Sequence, residues 1–255
     1  MRIESLTNDD VAPAHTLAGR VGLLALATDL NSEDDLRRML PGSVGLYCNR
    51  VRHENPMSLA ALQRVAEDLP RAGRDLLPGL EVDVVVYGCT SGTIAMGETE
   101  TLALIARSRP SRRQTTPVTA SLAALVRLGA RRISILTPYR SEVNRALGEY
   151  YASRGLDVLN VSGLEMDDDY AMTAIAPDTI VEAGLRAMAP EADALFISCT
   201  ALRSSLAVEA LEAALGRPVV TSNQAIVWHA LDLIGVVSSS APGRLFQTPT
   251  GLRPQ

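Results

Sequence analysis

The sequence predicts an α/β fold of two pseudo-symmetric, doubly wound parallel-sheet lobes facing each other across a cleft. Three observations predict it. Short runs that are aliphatic throughout alternate with stretches of about 12 residues whose apolar positions recur at helical spacing. Strands apolar on both faces and separated by helices form a parallel sheet covered on both sides. The chain also repeats itself: VVVYGCTSGT (84–93) and ALFISCTALR (194–203) share the order strand, Cys-Thr, then residues that can start a helix. Finally, 255 residues, 47% of them hydrophobic, suffice for two lobes of roughly 110 to 130 residues, each with a packed core.

The elements follow in order. RVGLLALAT (20–28) is a continuous apolar strand, and SVGLYCN (43–49) is the next. SLAALQRVAEDLPRAGRDLL (58–77) has helical periodicity, and VDVVVYGC returns to strand. SRPSRRQ (108–114), the densest basic stretch, reads as a solvated loop. VTASLAALVRLG (118–129) is a helix closed by a C-terminal glycine, and RRISILTPY (131–139) is a strand that stops at a proline. SEVNRALGEYYASRG (141–155) opens with Ser and closes with Gly, both helix punctuation. LDVLNVSGLE, PDTIVEAGLRAMA, ADALFISC, SSLAVEALEAALG, RPVVTSN and QAIVWHALDLIG continue the alternation. The expected first lobe is 1–117 plus roughly 222–255, the last helix returning to it, and the second lobe is 118–221. The tail 248–255 is expected to fray.

Composition narrows the partners. The net charge is −5, no basic stretch is long enough to track phosphates, and aromatic residues are only 4%, so nucleic acid is not expected. No apolar run approaches the length of a membrane span, and the polar, acidic MRIESLTNDDVAPAH does not resemble a signal peptide. A cytoplasmic location is expected, with the three cysteines as free thiols. There is no CxxC, HExxH or EF-hand spacing, so neither a metal nor a cofactor is expected.

Two thiols carry the chemistry. Ligands of open α/β sheets sit beyond the carboxyl ends of the strands, where both Cys89 and Cys199 fall. Each precedes an expected helix start, whose unpaired N–H groups attract a carboxylate and lower a thiol pKa. The plain alternative is a buried cysteine acting as a small hydrophobe. Two cysteines in matching contexts argue against it, whereas Cys48, in GLYCNR, lacks the Cys-Thr signature and reads as packing. Thiols on opposite sides of a cleft can move a proton across a carbon next to a carboxylate. Alternatively, one can add to a conjugated double bond and let it rotate.

YGCTSGT, LTPY, FISCTALR and VVTSNQAIVWHAL resemble the aspartate/glutamate racemase superfamily, and within it the branch of maleate cis-trans isomerases and arylmalonate decarboxylases. The longer strings LLALATDLNSEDDLRRMLP, GARRISILTPY, ADALFISCTALR and PVVTSNQAIVWHAL are most similar to the ectoine-utilisation, racemase-like members of that branch. The resemblance implies an active site between the lobes, no cofactor, and a homodimer acting on a small carboxylate. It implies Cys89 as nucleophile or base and Cys199 as its acid/base partner. Tyr139 of the TPY motif binds substrate, Thr90, Ser91 and Gly92 donate to one carboxylate, and Thr200 and Ala201 do likewise through backbone N–H groups. Asp29 and Asp169 stand where maleate isomerases carry substrate-contacting asparagines. An acid there repels a dicarboxylate and attracts an ammonium group, unless it merely faces solvent or caps a helix. His229 and Trp228 read as core. His53 is a candidate for the cleft mouth and Asn223 for a bridge to the site. Arg203 is open between surface and carboxylate ligand. The rival readings are a maleate cis-trans isomerase, an arylmalonate-type decarboxylase and a non-catalytic two-lobe binding protein.

Overall fold

The computed structural model describes residues 1, 3–4, 17–238 and 241–247. The expectations for the N-terminal segment and for the tail 248–255 fall outside them. Eight strands in the described residues form two four-stranded sheets, and every pairing is parallel. The first sheet has the order β2-β1-β3-β4, built from β1 (Gly19–Leu26), β2 (Val44–Val51), β3 (Val84–Tyr87) and β4 (Arg113–Thr115). The second repeats it as β6-β5-β7-β8, from β5 (Arg132–Tyr139), β6 (Asp157–Met166), β7 (Ala194–Ile197) and β8 (Val219–Thr221). The inner strands β3 and β7 are buried at all four positions, as continuous apolar runs require.

Each sheet reverses its winding direction once, between β1 and β3 and between β5 and β7. The helices on either side of a reversal diverge, and a crevice opens at the strand ends. Helix α1 (Ser32–Met39) follows β1, and α2 (Leu59–Arg74) follows β2, its first turn held by the Ser58 hydroxyl accepting from Ala61 N. The chain after β3 forms α3 (Thr90–Met96) and α4 (Glu98–Ser108), broken at Gly97, whose φ of 86° suits glycine. In the second lobe α6 (Ser141–Ser153), α7 (Asp169–Thr173) and α8 (Pro177–Ala187) follow in turn. SSLAVEALEAALG begins as a 3-10 turn (Ser204–Ala207) before α9 (Val208–Leu215).

The last strand of each sheet leads into a helix capped by a threonine. Thr116 caps α5 (Pro117–Arg127), and Thr221 with Gln224 makes a capping box on α10 (Ser222–Ile234). These helices pack on each other, and α10 also covers α1, β3 and β4 of the first sheet. Ile226, Val227 and Leu231 are at most 2% exposed beneath it, each stabilising by about 2 kcal/mol. The larger of two apolar clusters runs through both lobes, so the lobes share one core. A short α11 (Arg244–Gln247) closes the described chain.

The basic stretch 108–114 is an irregular loop over 109–112 with Pro110, Arg112 and Arg113 exposed, as read from sequence, but its ends and Arg109 differ. Ser108 ends α4, Arg113 opens β4, and Arg109 is buried with Nη2 donating to the carbonyls of Leu77 (2.9 Å) and Leu80. A guanidinium that satisfies turn carbonyls can be buried, which composition does not reveal. Among the described residues no helix is long and apolar enough to cross a membrane.

Candidate active site

The two crevices open toward each other, and one narrow pocket, partly open to solvent, lies between them. Its lining comes from the carboxyl ends of six strands: Leu26 and Asp29 after β1, Met57 after β2, Cys89 and Ser91 after β3, Tyr139 at the end of β5, Asp169 after β6, and Cys199, Thr200 and Ala201 after β7. No lining residue is more than 8% exposed. The β2 and β6 loops are clasped across the lobes. Met57 N donates to Asp167 O (2.7 Å), Asp169 N to Asn55 Oδ1 (3.1 Å) and Asn55 Nδ2 to Asp168 Oδ1 (3.1 Å).

Cys89 is the N-cap of α3, and its Sγ accepts from Gly92 N at 3.2 Å. The Ser91 hydroxyl has only soft partners, Cys89 Sγ and Met57 Sδ, each at 3.6 Å. Cys199 has a φ of 117°, a backbone rarely adopted by a residue with a side chain. Ser222 Oγ accepts from its N–H at 3.1 Å, and the hydroxyl of Tyr139 and the N–H groups of Ala201 and Leu202 face its sulfur. The threonine after each cysteine crosses the seam: Thr90 Oγ1 meets Ser222 Oγ at 2.9 Å, and Thr200 Oγ1 donates to Gly88 O at 2.9 Å.

Three expectations need correction. The helix start does not lower the thiol pKa values. Burial pushes Cys89 up to about 11 against the pull of Ser91 and Gly92, and burial with the Asp169 carboxylate pushes Cys199 up to about 12. The N–H groups of Gly92 and Ala201, expected to serve the substrate, are turned on the sulfurs of their own cysteines. Thr90 and Gly92 do not line the pocket and support it from behind.

The two acids differ. Asp29 lines the pocket, but Oδ1 accepts from Asn31 N and Ser32 N (both 2.8 Å) and Oδ2 from the Ser32 hydroxyl, so it also caps the start of α1. Burial raises its pKa against those bonds and Arg50. Asp169 Oδ2 accepts from the Thr28 hydroxyl and lies 3.6 Å from His53 Nε2. The His53 side chain is fully buried, and burial lowers its pKa although Asp169 opposes the shift. The Asp169 carboxylate raises the pKa of both thiols. Among the described residues no arginine or lysine lines the pocket.

Sequence reading missed the support beneath Cys199. Asp35 on α1 accepts from Asn31 Nδ2 (3.1 Å), Asn223 Nδ2 (2.8 Å), Ser205 Oγ (2.7 Å) and the Arg38 guanidinium. The two amides also donate to Thr200 O, Asn31 at 3.0 Å and Asn223 at 2.9 Å. A signal existed: Ser32, Asp35, Leu36 and Met39 form the buried stripe of α1, and an acid on such a stripe needs partners. Asn223 thus bridges to the site through the backbone. Tyr87, fully buried behind Cys89, was also missed. His229 bonds Thr115 Oγ1 at 2.8 Å, with burial lowering its pKa to about 4, and Trp228 is buried beside it. Arg203 is exposed and absent from the lining. Cys48 is half-buried on β2.

The fold has close parallels. The chain is 35% identical to an arylmalonate decarboxylase of Bordetella bronchiseptica over 136 residues, 52% of this chain and 57% of that one. It is 26% identical to a maleate isomerase of Alcaligenes faecalis over 235 residues, 85% of this chain and 91% of the relative. The crystal structure of arylmalonate decarboxylase superposes with a TM-score of 0.73 at 26% identity, covering 90% of this chain and all of that one. The maleate isomerase Iso of Pseudomonas putida S16 superposes at 0.81 with 20% identity, over 89% and 98%. The family model described as arylmalonate decarboxylase matches residues 57–246, which hold both cysteine turns and all of the pocket lining except Leu26 and Asp29. This chain therefore belongs to the arylmalonate decarboxylase family.

Proposed function

We propose that the protein is a cofactor-independent isomerase or racemase that uses Cys89 and Cys199 on a small carboxylate carrying an ammonium group. The observation behind this reading is a pocket lined by two thiols and two carboxylates, with no arginine or lysine among the described residues of its lining. A substrate ammonium against Asp169 supplies the missing charge. A dicarboxylate such as maleate meets like charge instead.

The same contact starts the chemistry. Burial and the Asp169 carboxylate both favour the neutral form of the two thiols. An ammonium seated on Asp169 cancels that contribution, so substrate binding lowers the thiol pKa values. Cys89 gives up its own proton to solvent as substrate binds, and the resulting thiolate removes the proton of the substrate α-carbon while Cys199 delivers its proton to the opposite face. The Ser91 hydroxyl turns from its sulfur contacts to the substrate carboxylate. The Tyr139 hydroxyl steadies the Cys199 thiolate that results.

Within this class we infer a diamino acid or related intermediate of ectoine breakdown, on the two acids and the longer sequence strings. The reading includes a cytoplasmic homodimer and a free small-molecule substrate, with neither nucleic acid nor membrane as partner. One observation favours a second reading, decarboxylation of an arylmalonate: the 35% identity to the Bordetella enzyme. That reaction needs one thiol to reprotonate the enolate and leaves the second unexplained.

Solvent deuterium incorporation followed by NMR tests these readings. The enzyme is incubated in D2O with maleate, aspartate, glutamate, 2,4-diaminobutyrate, its acetylated forms and phenylmalonate. Exchange at the α-carbon of an amino acid with loss of optical activity is expected. Conversion of maleate to fumarate, or turnover of phenylmalonate alone, overturns the ammonium reading.

A further inference from the structure

Tyr87 ends β3 two residues before Cys89, and its side chain is fully buried outside the pocket lining. Its hydroxyl makes no hydrogen bond of ordinary geometry, although the Cys89 sulfur is close enough to interact with it. A buried phenol so weakly partnered is unusual, because desolvating the O–H is unfavourable. The geometry around Gly92 shows what it faces. An ideal Cβ at position 92 would lie 2.4 Å from the Tyr87 hydroxyl oxygen and 3.0 Å from Cys89 Sγ. Oxygen and sulfur therefore share the space that any larger residue at 92 would fill.

We propose that Tyr87 is a positioning residue for Cys89: its phenol, reaching past Gly92, donates a hydrogen bond to the Cys89 sulfur that reaches full strength only when the thiolate forms. A neutral thiol is a weak acceptor, whereas a thiolate makes a charge-assisted bond. An interaction stronger in the charged state favours the step that creates the charge. Burial holds the Tyr87 phenol far above its ordinary pKa, so it remains a donor throughout the working range. The second thiol faces a phenol too, Tyr139, but that one ends the neighbouring strand and lines the pocket. The two cysteine turns thus recruit their phenols by different routes.

This inference rests on Cys89 as a reacting thiol, yet its first test needs no substrate. In a Cys48→Ser/Cys199→Ser background only Cys89 titrates as a thiol. The thiolate absorbance and the rate of iodoacetamide alkylation are followed against pH, with and without Tyr87→Phe. The other titratable groups toward Cys89, Asp169 from α7 and Tyr139 from β5, are left in place. The expected result is a rise of the Cys89 midpoint by about one pH unit. Site-specific 3-fluorotyrosine at 87, a stronger donor of similar shape, moves it the opposite way and serves if Tyr87→Phe does not fold. With native cysteines, kcat of Tyr87→Phe falls about tenfold at unchanged KM. A midpoint unmoved by either replacement in a folded protein overturns the proposal, even if kcat falls. A moved midpoint in an enzyme whose Cys89→Ser variant keeps full activity upholds the contact and overturns the catalytic reading instead.

Discussion

Replacing Asp35 with alanine removes the acceptor on which the two lobes converge. Three of its donors are buried, Asn31 at 2% exposure, Asn223 at 0% and Ser205 at 5%. Each hydrogen bond to a charged acceptor contributes about 1.5–3 kcal/mol. Asn31 and Asn223 keep a carbonyl partner on the same amide nitrogen, which softens the loss. The fourth donor, Arg38, is 43% exposed on its side chain, so its ion pair is screened and adds little. The expected destabilisation is about 4 kcal/mol, a large part of the 5–15 kcal/mol typical of a folded domain. Asp35→Asn keeps the shape and one acceptor, and is expected to lose about half as much. Urea denaturation at neutral pH, followed by tyrosine and tryptophan fluorescence and by circular dichroism, measures both. Because Asn31 and Asn223 hold the Thr200 carbonyl, activity should fall before the fold does. A loss below about 1 kcal/mol for Asp35→Ala would refute the argument, since three buried donors cannot lose a carboxylate at so small a cost.

Cys89→Ser and Cys199→Ser should each lower turnover by on the order of 1,000-fold or more with the circular dichroism unchanged, whereas Cys48→Ser should leave it intact; full activity in either active-site variant rejects the two-thiol mechanism. Stability should fall as the solution becomes alkaline. The thiols ionise near pH 9 in the unfolded chain but only at about 11 and about 12 in the folded one. The folded state therefore holds extra protons in that window, and each thiol contributes a slope of about −1.4 kcal/mol per pH unit. Thermal melts from pH 8 to 11 should show a shallower decline in the Cys89→Ser/Cys199→Ser protein. Asp169→Asn should lower both thiol midpoints by about one unit and weaken an ammonium-bearing substrate by on the order of 30-fold, read by alkylation rates and KM; equal KM values exclude Asp169 as the ammonium partner.

The sheets were legible because burial on both faces leaves continuous aliphatic runs, and the internal echo marked both cysteine turns. The site was legible along the strands and illegible across them. The three aspartates of EMDDDY diverge in the fold, where Asp167 pairs with Arg140, Asp168 caps α7, and Asp169 enters the pocket. Composition alone does not distinguish three adjacent carboxylates. Asp35 and Asn223 are 188 positions apart, and only the packing of α10 on α1 joins them. The thiol pKa values were misjudged for a similar reason. A helix start can be read from local sequence, but the depth of burial that overrides it is set by the facing lobe.

The positive φ of Cys199 sets two kinds of fitness against each other at one codon. A backbone of this kind costs about 1–3 kcal/mol for any residue with a Cβ, and glycine relieves most of it. Glycine at 199 would therefore raise the melting temperature while removing the thiol proposed to react. A library sorted for thermal endurance alone should enrich glycine there, and one sorted for turnover should recover cysteine. The two outcomes would show how much stability this chain forgoes to keep a sulfur in place.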